Sequence, residues 1–215
     1  MEIQHKGWDW SAVQSESWNE ISEEFLPVAM SWSRKYHSIL DIGAGKGRHS
    51  FFFARNGFKV NAIDLSENGI EYIKAGAQEE NLDIEAAVAD MTELPFDDKS
   101  FDCVICFHTI YHTDYAGVQK ALREIHRVLK ESGEAYISFN TKDNPNFDAA
   151  LSSDGYTIIR TEGHESGMPH CYVNERELLG LLKEFKIVSM NKTINYIRNE
   201  KKSLGVHFYV HVIKK

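Results

Sequence analysis

The chain has 215 residues and a formal charge of −8, from 24 Lys and Arg against 32 Asp and Glu, with 42% hydrophobic and 12% aromatic residues. That apolar share excludes wholesale disorder, the acidic balance argues against a phosphate-neutralising nucleic-acid surface, and no apolar run approaches the roughly 18 residues of a membrane span. Cys103, Cys106 and Cys171 are too few for a disulfide scaffold. The opening MEIQHKGWDWSAVQSESW lacks a charged-then-apolar signal pattern, so a soluble, cytoplasmic, single-domain protein is expected.

Along the chain, strands and helices alternate. SILDI (38–42) is a short apolar run stopped by Gly43-Ala-Gly45-Lys-Gly47, the pattern of a buried strand entering a glycine turn. Arg48 to Asn56 reads as a helix ended by Gly57. FKVNAIDL (58–65) is a second strand, after which Ser66 caps a helix with Ile70, Ile73 and Ala77 on one face. A third strand spans 84–89, a polar loop 91–100, and FDCVICFH (101–108) is a fully buried fourth strand. Val118, Leu122, Ile125, Val128 and Leu129 predict an amphipathic helix terminated by Gly133, followed by the strand AYISFN (135–140). This βαβ rhythm predicts a parallel, doubly wound α/β sheet. The stretch 141–170 reads as an inserted loop or lid and Val173–Phe185 as a helix. Two strands, Lys186–Lys192 and Val206–Lys214, then form an antiparallel edge hairpin.

A doubly wound sheet binds its ligand beyond the carboxyl ends of its strands. Here the first three strands end in Asp41, Asp64 and Asp90, and the glycine loop follows the first of them. Glycines let backbone approach a ligand and leave amides at a helix N-terminus. Asp64 lies 21 residues beyond Gly43, where a carboxylate reaches ribose hydroxyls. A dinucleotide fingerprint needs glycine at the sixth loop position. This chain has Arg48 there and its third glycine at Gly47, which disfavours a nicotinamide dehydrogenase.

DIGAGKG (41–47), IDLS (63–66), ADMTELPF (89–96), FDCVICFHTIYH (101–112) and LREIHRVLKESGEAYISF (122–139), in this order, resemble the class I S-adenosylmethionine-dependent methyltransferases. GKGRHSFFFARNGFKVNAID is most similar to their small-molecule branch, the methyltransferase type 11 and tellurite-resistance-type enzymes. The resemblance implies a Rossmann-like seven-stranded sheet of order 3-2-1-4-5-7-6 with strand 7 antiparallel. It also divides the chain into an N-terminal helical lid (1–36), a cofactor-binding core (37–140), an insertion near the acceptor pocket (141–172) and a C-terminal helix with hairpin (173–215). Carried over position by position, Asp41 and the backbone of Gly43, Gly45 and Gly47 hold the methionine moiety of S-adenosylmethionine. Asp64 takes the ribose hydroxyls and Leu65 packs on adenine. Asp90 and the Met91 amide read the adenine edge, and the Phe107 carbonyl meets the ammonium. A cationic sulfonium ligand suits a ring of strand-end carboxylates.

Methyl transfer is an in-line displacement that needs alignment, exclusion of water and, for some acceptors, a base. His108, Tyr111 and His112 lie just past the fourth strand, and His170 and Tyr172 lie in the insertion, which in this fold covers the acceptor. Arg48 is a candidate contact for an anionic acceptor. His108-Thr-Ile-Tyr111 lacks both prolines of the Asn/Asp-Pro-Pro-Tyr/Phe element of amino-methylating enzymes. Cys171 sits in no nucleophile motif. Cys103 and Cys106, three apart in a strand, face opposite sides and make no metal or redox pair, and no metal is expected. Trp8, Trp10 and Trp18 read as a lid over the cofactor or as ordinary helix packing. The expected function is methylation of a small-molecule acceptor, yielding S-adenosylhomocysteine, by a monomer or homodimer with no nucleic-acid or membrane partner. Methylation of protein or RNA and non-catalytic S-adenosylmethionine binding are the alternatives.

Overall fold

The computed structural model describes residues 7, 8, 10, 20–162, 165–196 and 203–215. The chain folds as α1 (Leu26–Trp32), β1 (Ser38–Ile42), α2 (Arg48–Arg55), β2 (Lys59–Asp64), α3 (Glu67–Glu79), β3 (Ile84–Val88), β4 (Phe101–Cys106), α4 (Tyr115–Val128) and β5 (Leu129–Thr141). It continues through β6 (Thr157–Ile159), β7 (Pro169–Val173), α5 (Glu175–Leu181), β8 (Phe185–Tyr196) and β9 (Ser203–Lys214). Three of the described α-helices start at side-chain caps. Ser66 accepts from the Gly69 amide, Asp114 accepts from Gly117, and Asn174 with Glu177 closes a reciprocal box at α5.

The main sheet runs β3-β2-β1-β4-β5-β9-β8. β1 to β5 are parallel and β9 is antiparallel to both its neighbours, so the expected order 3-2-1-4-5-7-6 is realised with β8 and β9 as its last two strands. Alternate residues feed opposite faces. Ile39, Cys103 and Ile105 join Phe25, Trp32 and Phe53 of the α1–α2 side, while Leu40, Val104 and Cys106 join the α4–α5 side. The two cysteines of the CxxC spacing therefore enter different cores, and all three cysteines are free and buried.

Three local readings of the sequence change. The α4 helix ends at Val128 and does not run to Gly133, because Leu129 is already extended (ψ 137°). Gly133 sits in an irregular stretch of β5 where Ser132 has φ +59° and the β4–β5 register shifts. A Cβ on Gly133 would lie 2.9 Å from the Lys130 carbonyl oxygen and 3.0 Å from that of Asp102, so glycine is kept there for space and not as a helix cap. Second, the helix expected over Val173–Phe185 is shortened at its start by the Asn174 cap. Third, the insertion is not only loop, since β6 and β7 form a small antiparallel hairpin. β7 pairs in parallel with Asn140 and Thr141 of β5, on the edge that β4 vacates at Cys106. The hairpin thus stands over the carboxyl end of the sheet.

The opposite end is tied by one carboxylate. Glu134 of β5 accepts from Trp32 Nε1 (2.7 Å), Lys35 Nζ (2.7 Å), Tyr36 Oη (2.8 Å) and His211 Nε2 (2.7 Å), joining α1, β5 and β9. Burial raises its proton affinity, but bonds from Lys35, Tyr36, Trp32 and His211 outweigh that and hold it down at about 2. Glu134→Ala strands four donors and is expected to cost about 2–4 kcal/mol at pH 7. A depressed carboxylate contributes above its unfolded value of about 4.5 and loses that contribution as pH falls toward 2. The stability gap between wild type and variant in urea titrations should therefore narrow from pH 6 to pH 3. A gap unchanged over that range would remove the ionised group from the account.

Candidate active site

The carboxyl ends of β1, β2, β3 and β4 open into a cavity of about 360 Å³. The glycine loop forms its floor and is suspended from the end of β2. The Gly43 and Ala44 amides both donate to the Ile63 carbonyl (2.8 and 2.9 Å), and the Gly45 amide donates to Asp64 Oδ2 (2.9 Å). Asp64 Oδ1 takes the Ser66 amide (2.8 Å). Gly43 has φ +70°, and a Cβ there would lie 2.1 Å from Thr109 Oγ1, so the close approach of the first and fourth strand ends requires glycine. Asp90 Oδ1 receives both the amide and the hydroxyl of Thr92 (2.7 Å each).

Of the residues expected to hold a cofactor, Gly43, Asp64, Leu65, Asp90, Met91 and Phe107 line this cavity. Asp41, Gly45 and Gly47 shape the loop from behind its wall. Asp41 is buried and accepts from Ser50 Oγ at 2.6 Å, which fixes the first turn of α2. Burial pushes the Asp41 carboxyl up to about 6, against the Ser50 bond and the Arg48 charge that favour ionisation, with Asp64 adding to the rise. Burial likewise raises Asp64, with the amides of Ser66, Gly45 and Leu65 opposing it.

Every candidate at the acceptor end, His108, Tyr111, His112, His170, Arg48 and Tyr172, faces the same cavity. His108 adopts φ +54°, a left-handed conformation that costs a non-glycine residue about 1–2 kcal/mol. It is held there by its amide on Ser138 Oγ (2.6 Å) and by ring contacts with Tyr111 Oη (2.9 Å) and Tyr209 Oη (3.3 Å). The Cys171 amide donates to the Tyr111 carbonyl (2.8 Å), which stitches β7 to the turn after β4. That bond brings His170 against His112, with ring centroids 4.6 Å apart. Arg48 lies 5.1 Å over the Phe107 ring, and burial lowers its proton affinity while Asp41 supports its charge. Tyr172 packs on Phe147 and is pushed up to about 12 by burial.

Sequence reasoning missed Glu165, Arg160 and His207. Glu165 Oε1 sits 3.2 Å from His170 Nε2, and its Oε2 sits 3.7 Å from Arg160 Nε. His207 packs edge-on against His108 at 4.7 Å. Its signal was the second face of β9, His207-Tyr209-His211, which is too aromatic for a solvated edge. β9 is an interior strand, and on that second face Tyr209 is buried while His207 and His211 are half-buried. Burial drives His112 down to about 3, with His170 adding to the effect, and drives His207 down to about 4. Burial also holds His108 well below its ordinary value, with His207, Arg48 and His112 contributing.

At the N-terminus, Gly7, Trp8 and Trp10 belong to the cavity wall, with Trp8 edge-on to His112 at 6.3 Å. Trp18 lies outside the described residues. α1 packs into the sheet face through Ala29 and Trp32, away from the cavity.

A methyltransferase-domain family model matches residues 39–133. An uncharacterised methyltransferase, YcgJ, of Bacillus subtilis is 36% identical over 111 residues, half of this chain and 42% of that protein. A ubiquinone biosynthesis O-methyltransferase of Coxiella burnetii is 30% identical over 144 residues, 67% of this chain and 57% of that protein. The chain thus spans about half the length of the curated relatives it matches. Among solved structures, the PH0226 protein of Pyrococcus horikoshii superposes with a TM-score of 0.73 at 22% identity, over 95% of this chain and 94% of that one. The 1,6-didemethyltoxoflavin-N1-methyltransferase of Burkholderia thailandensis, solved with its substrate and S-adenosylhomocysteine, superposes at 0.67 and 21% identity, over 89% and 77%. These two likenesses establish the fold. No described helix is long and apolar enough to cross a membrane.

Because Asp41 is raised above its ordinary 3.8, its ionisation penalises the folded state fully above about pH 6 and not at all below about pH 4. Asp41→Asn keeps an acceptor for Ser50 without that charge. It is expected to stabilise the ligand-free protein by about 1–3 kcal/mol at pH 7.5, with the gain vanishing by pH 4 in urea titrations. Equal gains at both pH values would contradict the assignment.

Proposed function

Because the chain belongs to the class I S-adenosylmethionine-dependent methyltransferase family, we propose that it methylates a small-molecule acceptor, with S-adenosylmethionine as the donor. The supporting observation is one continuous cavity with two chemically distinct ends. One is walled by the strand-end acids Asp64 and Asp90, the other by Arg48, His108, His112 and His207 together with His170 of the β6–β7 hairpin. Bound S-adenosylmethionine supplies an electrophilic sulfonium methyl group.

The residues fit that donor. A carboxylate has about four lone-pair positions, and the hydrogen bonds from the Gly45 and Ser66 amides take one on each oxygen of Asp64, which leaves acceptor capacity for a pair of ribose hydroxyls. Leu65 and Met91 offer apolar surface on either side of the base, Asp90 and the Met91 amide its polar edge. Gly43 and the Phe107 carbonyl address the amino-acid end, and Asp41 acts on it through Ser50 and the loop. At the acceptor end, Arg48 attracts an anionic or acidic group, and the buried rings of Tyr111 and Tyr172 exclude water. Histidines held neutral accept hydrogen bonds and orient the acceptor atom, but at pKa values near 3 and 4 His112 and His207 are weak general bases. The site therefore suits an acceptor that is already acidic or is acidified where it binds. The cavity is too small for a folded macromolecule to enter, and the small-molecule methylations for which the Coxiella and Burkholderia proteins are named point the same way. Trp10 serves as the cover of the donor end beside Gly45 and Gly69 while Trp8 reaches the acceptor end at His112, and the protein works in the cytoplasm without a nucleic-acid partner.

Incubation with S-adenosylmethionine and panels of phenols, thiols, amines, carboxylates and chalcogen oxyanions should release S-adenosylhomocysteine with at least one class. Asp64→Ala should weaken S-adenosylhomocysteine binding by about 100-fold or more in calorimetry, the loss of two charge-assisted bonds. His112→Ala and His170→Ala should lower turnover at unchanged cofactor affinity. Undiminished affinity in Asp64→Ala would refute the site, and binding without turnover on any panel would favour a sensor.

A further inference from the structure

The geometry points to a divalent transition-metal site at the acceptor end of the cavity, formed by His112, Glu165 and His170. This extends the methyltransferase reading by giving the acceptor an anchor, and it departs from the metal-free expectation drawn from the sequence. One ligand atom from each of the three residues lies within 4.8 Å of the other two. Glu165 Oε1 and His170 Nε2 are already 3.2 Å apart, close to the roughly 3 Å separation of neighbouring ligands around an ion with bonds of about 2.1 Å.

The second observation is how the rings are held. A carbonyl oxygen only accepts, so His112 donates Nε2–H to the His108 carbonyl (3.1 Å) and His170 donates Nδ1–H to the Met168 carbonyl (3.3 Å). Each ring thus has one nitrogen tied to backbone and the other free of it, with His170 Nε2 facing Glu165. Metal-binding histidines are oriented in this way, by a second-shell carbonyl on the non-ligating nitrogen. The freed nitrogen of His112, Nδ1, is buried and has no hydrogen-bond partner among the described residues. A buried polar atom left in that state is costly unless something binds it.

Two histidines and one carboxylate select a first-row divalent ion such as Zn²⁺, Co²⁺, Ni²⁺ or Fe²⁺ over Mg²⁺ or Ca²⁺, which prefer all-oxygen sets. Three protein ligands leave coordination positions open toward the cavity. An ion there binds an acceptor's hydroxyl, thiol or carboxylate and lowers its pKa. Arg160, 3.7 Å from Glu165, competes for the same carboxylate and would be displaced as the ion enters.

The test uses the full, untagged chain after treatment with a chelator. Addition of Co²⁺ should give one equivalent of visible d–d absorption, displaced by Zn²⁺. Glu165→Gln and the double variant His112→Ala/His170→Ala should each weaken Zn²⁺ binding about 10–100-fold or more. Calorimetry with S-adenosylhomocysteine in the same samples checks that the donor end is intact, and is expected to be unchanged by all three substitutions. A wild-type protein that binds S-adenosylhomocysteine but takes up no Co²⁺ or Zn²⁺, or variants that bind Zn²⁺ as tightly as wild type, would overturn the metal site and leave the methyltransferase reading standing. Stoichiometric metal binding that the variants abolish, in a protein that binds no S-adenosylhomocysteine, would uphold the metal site and sink the methyltransferase reading.

Discussion

The glycine loop hangs from the end of β2, and the geometry of the cavity follows from that suspension. Two consecutive amides share the Ile63 carbonyl, and a third reaches Asp64. With the loop so fixed, α2 starts at Arg48, the Arg48 guanidinium is carried over Phe107, and Ser50 is delivered to Asp41. The same carboxylate that pins the loop is the one proposed to meet a donor's ribose. Loop structure and proposed recognition thus use one side chain. This explains why Asp64 can be buried and ionisable together, because backbone amides compensate part of its desolvation.

The core from 38 to 140 was legible because its information is local. Apolar runs ended by Asp and Gly mark parallel strands, and capping residues such as Ser66 mark helix starts. The end of α4 was misread because Gly133 looks like a helix stop, whereas its reason for being glycine is the crowding of Lys130 and Asp102 carbonyls across β4 and β5. No one-dimensional pattern carries a contact of that kind.

The acceptor end was legible in part. His112 and His170 stood out as residue types at suitable places, but their meeting depends on one bond between the Cys171 amide and the Tyr111 carbonyl, two distant backbone groups. Glu165 and His207 were hidden for different reasons. Glu165 is one acid among many in a polar insertion. His207 alternates with the apolar residues of a strand expected in an edge hairpin, whereas β9 lies between β5 and β8. The left-handed backbone of His108 was equally invisible, since nothing in HTIY announces a strained residue.

The position of β9 also bears on how the molecule is assembled. β1 and β2 pair across one helix, but β5 pairs with a strand that begins only at Ser203, with Glu134 opposite Ile213 and Asn140 opposite His207. Loop-closure entropy rises with separation along the chain, so these distant pairings are the slow ones. The half of the cavity built on β1, β2 and β3 rests on near neighbours in sequence, while the half containing His207 exists only once β9 has slotted between β5 and β8. Contact order therefore predicts that the wall built on β1, β2 and β3 forms before the wall that carries His207.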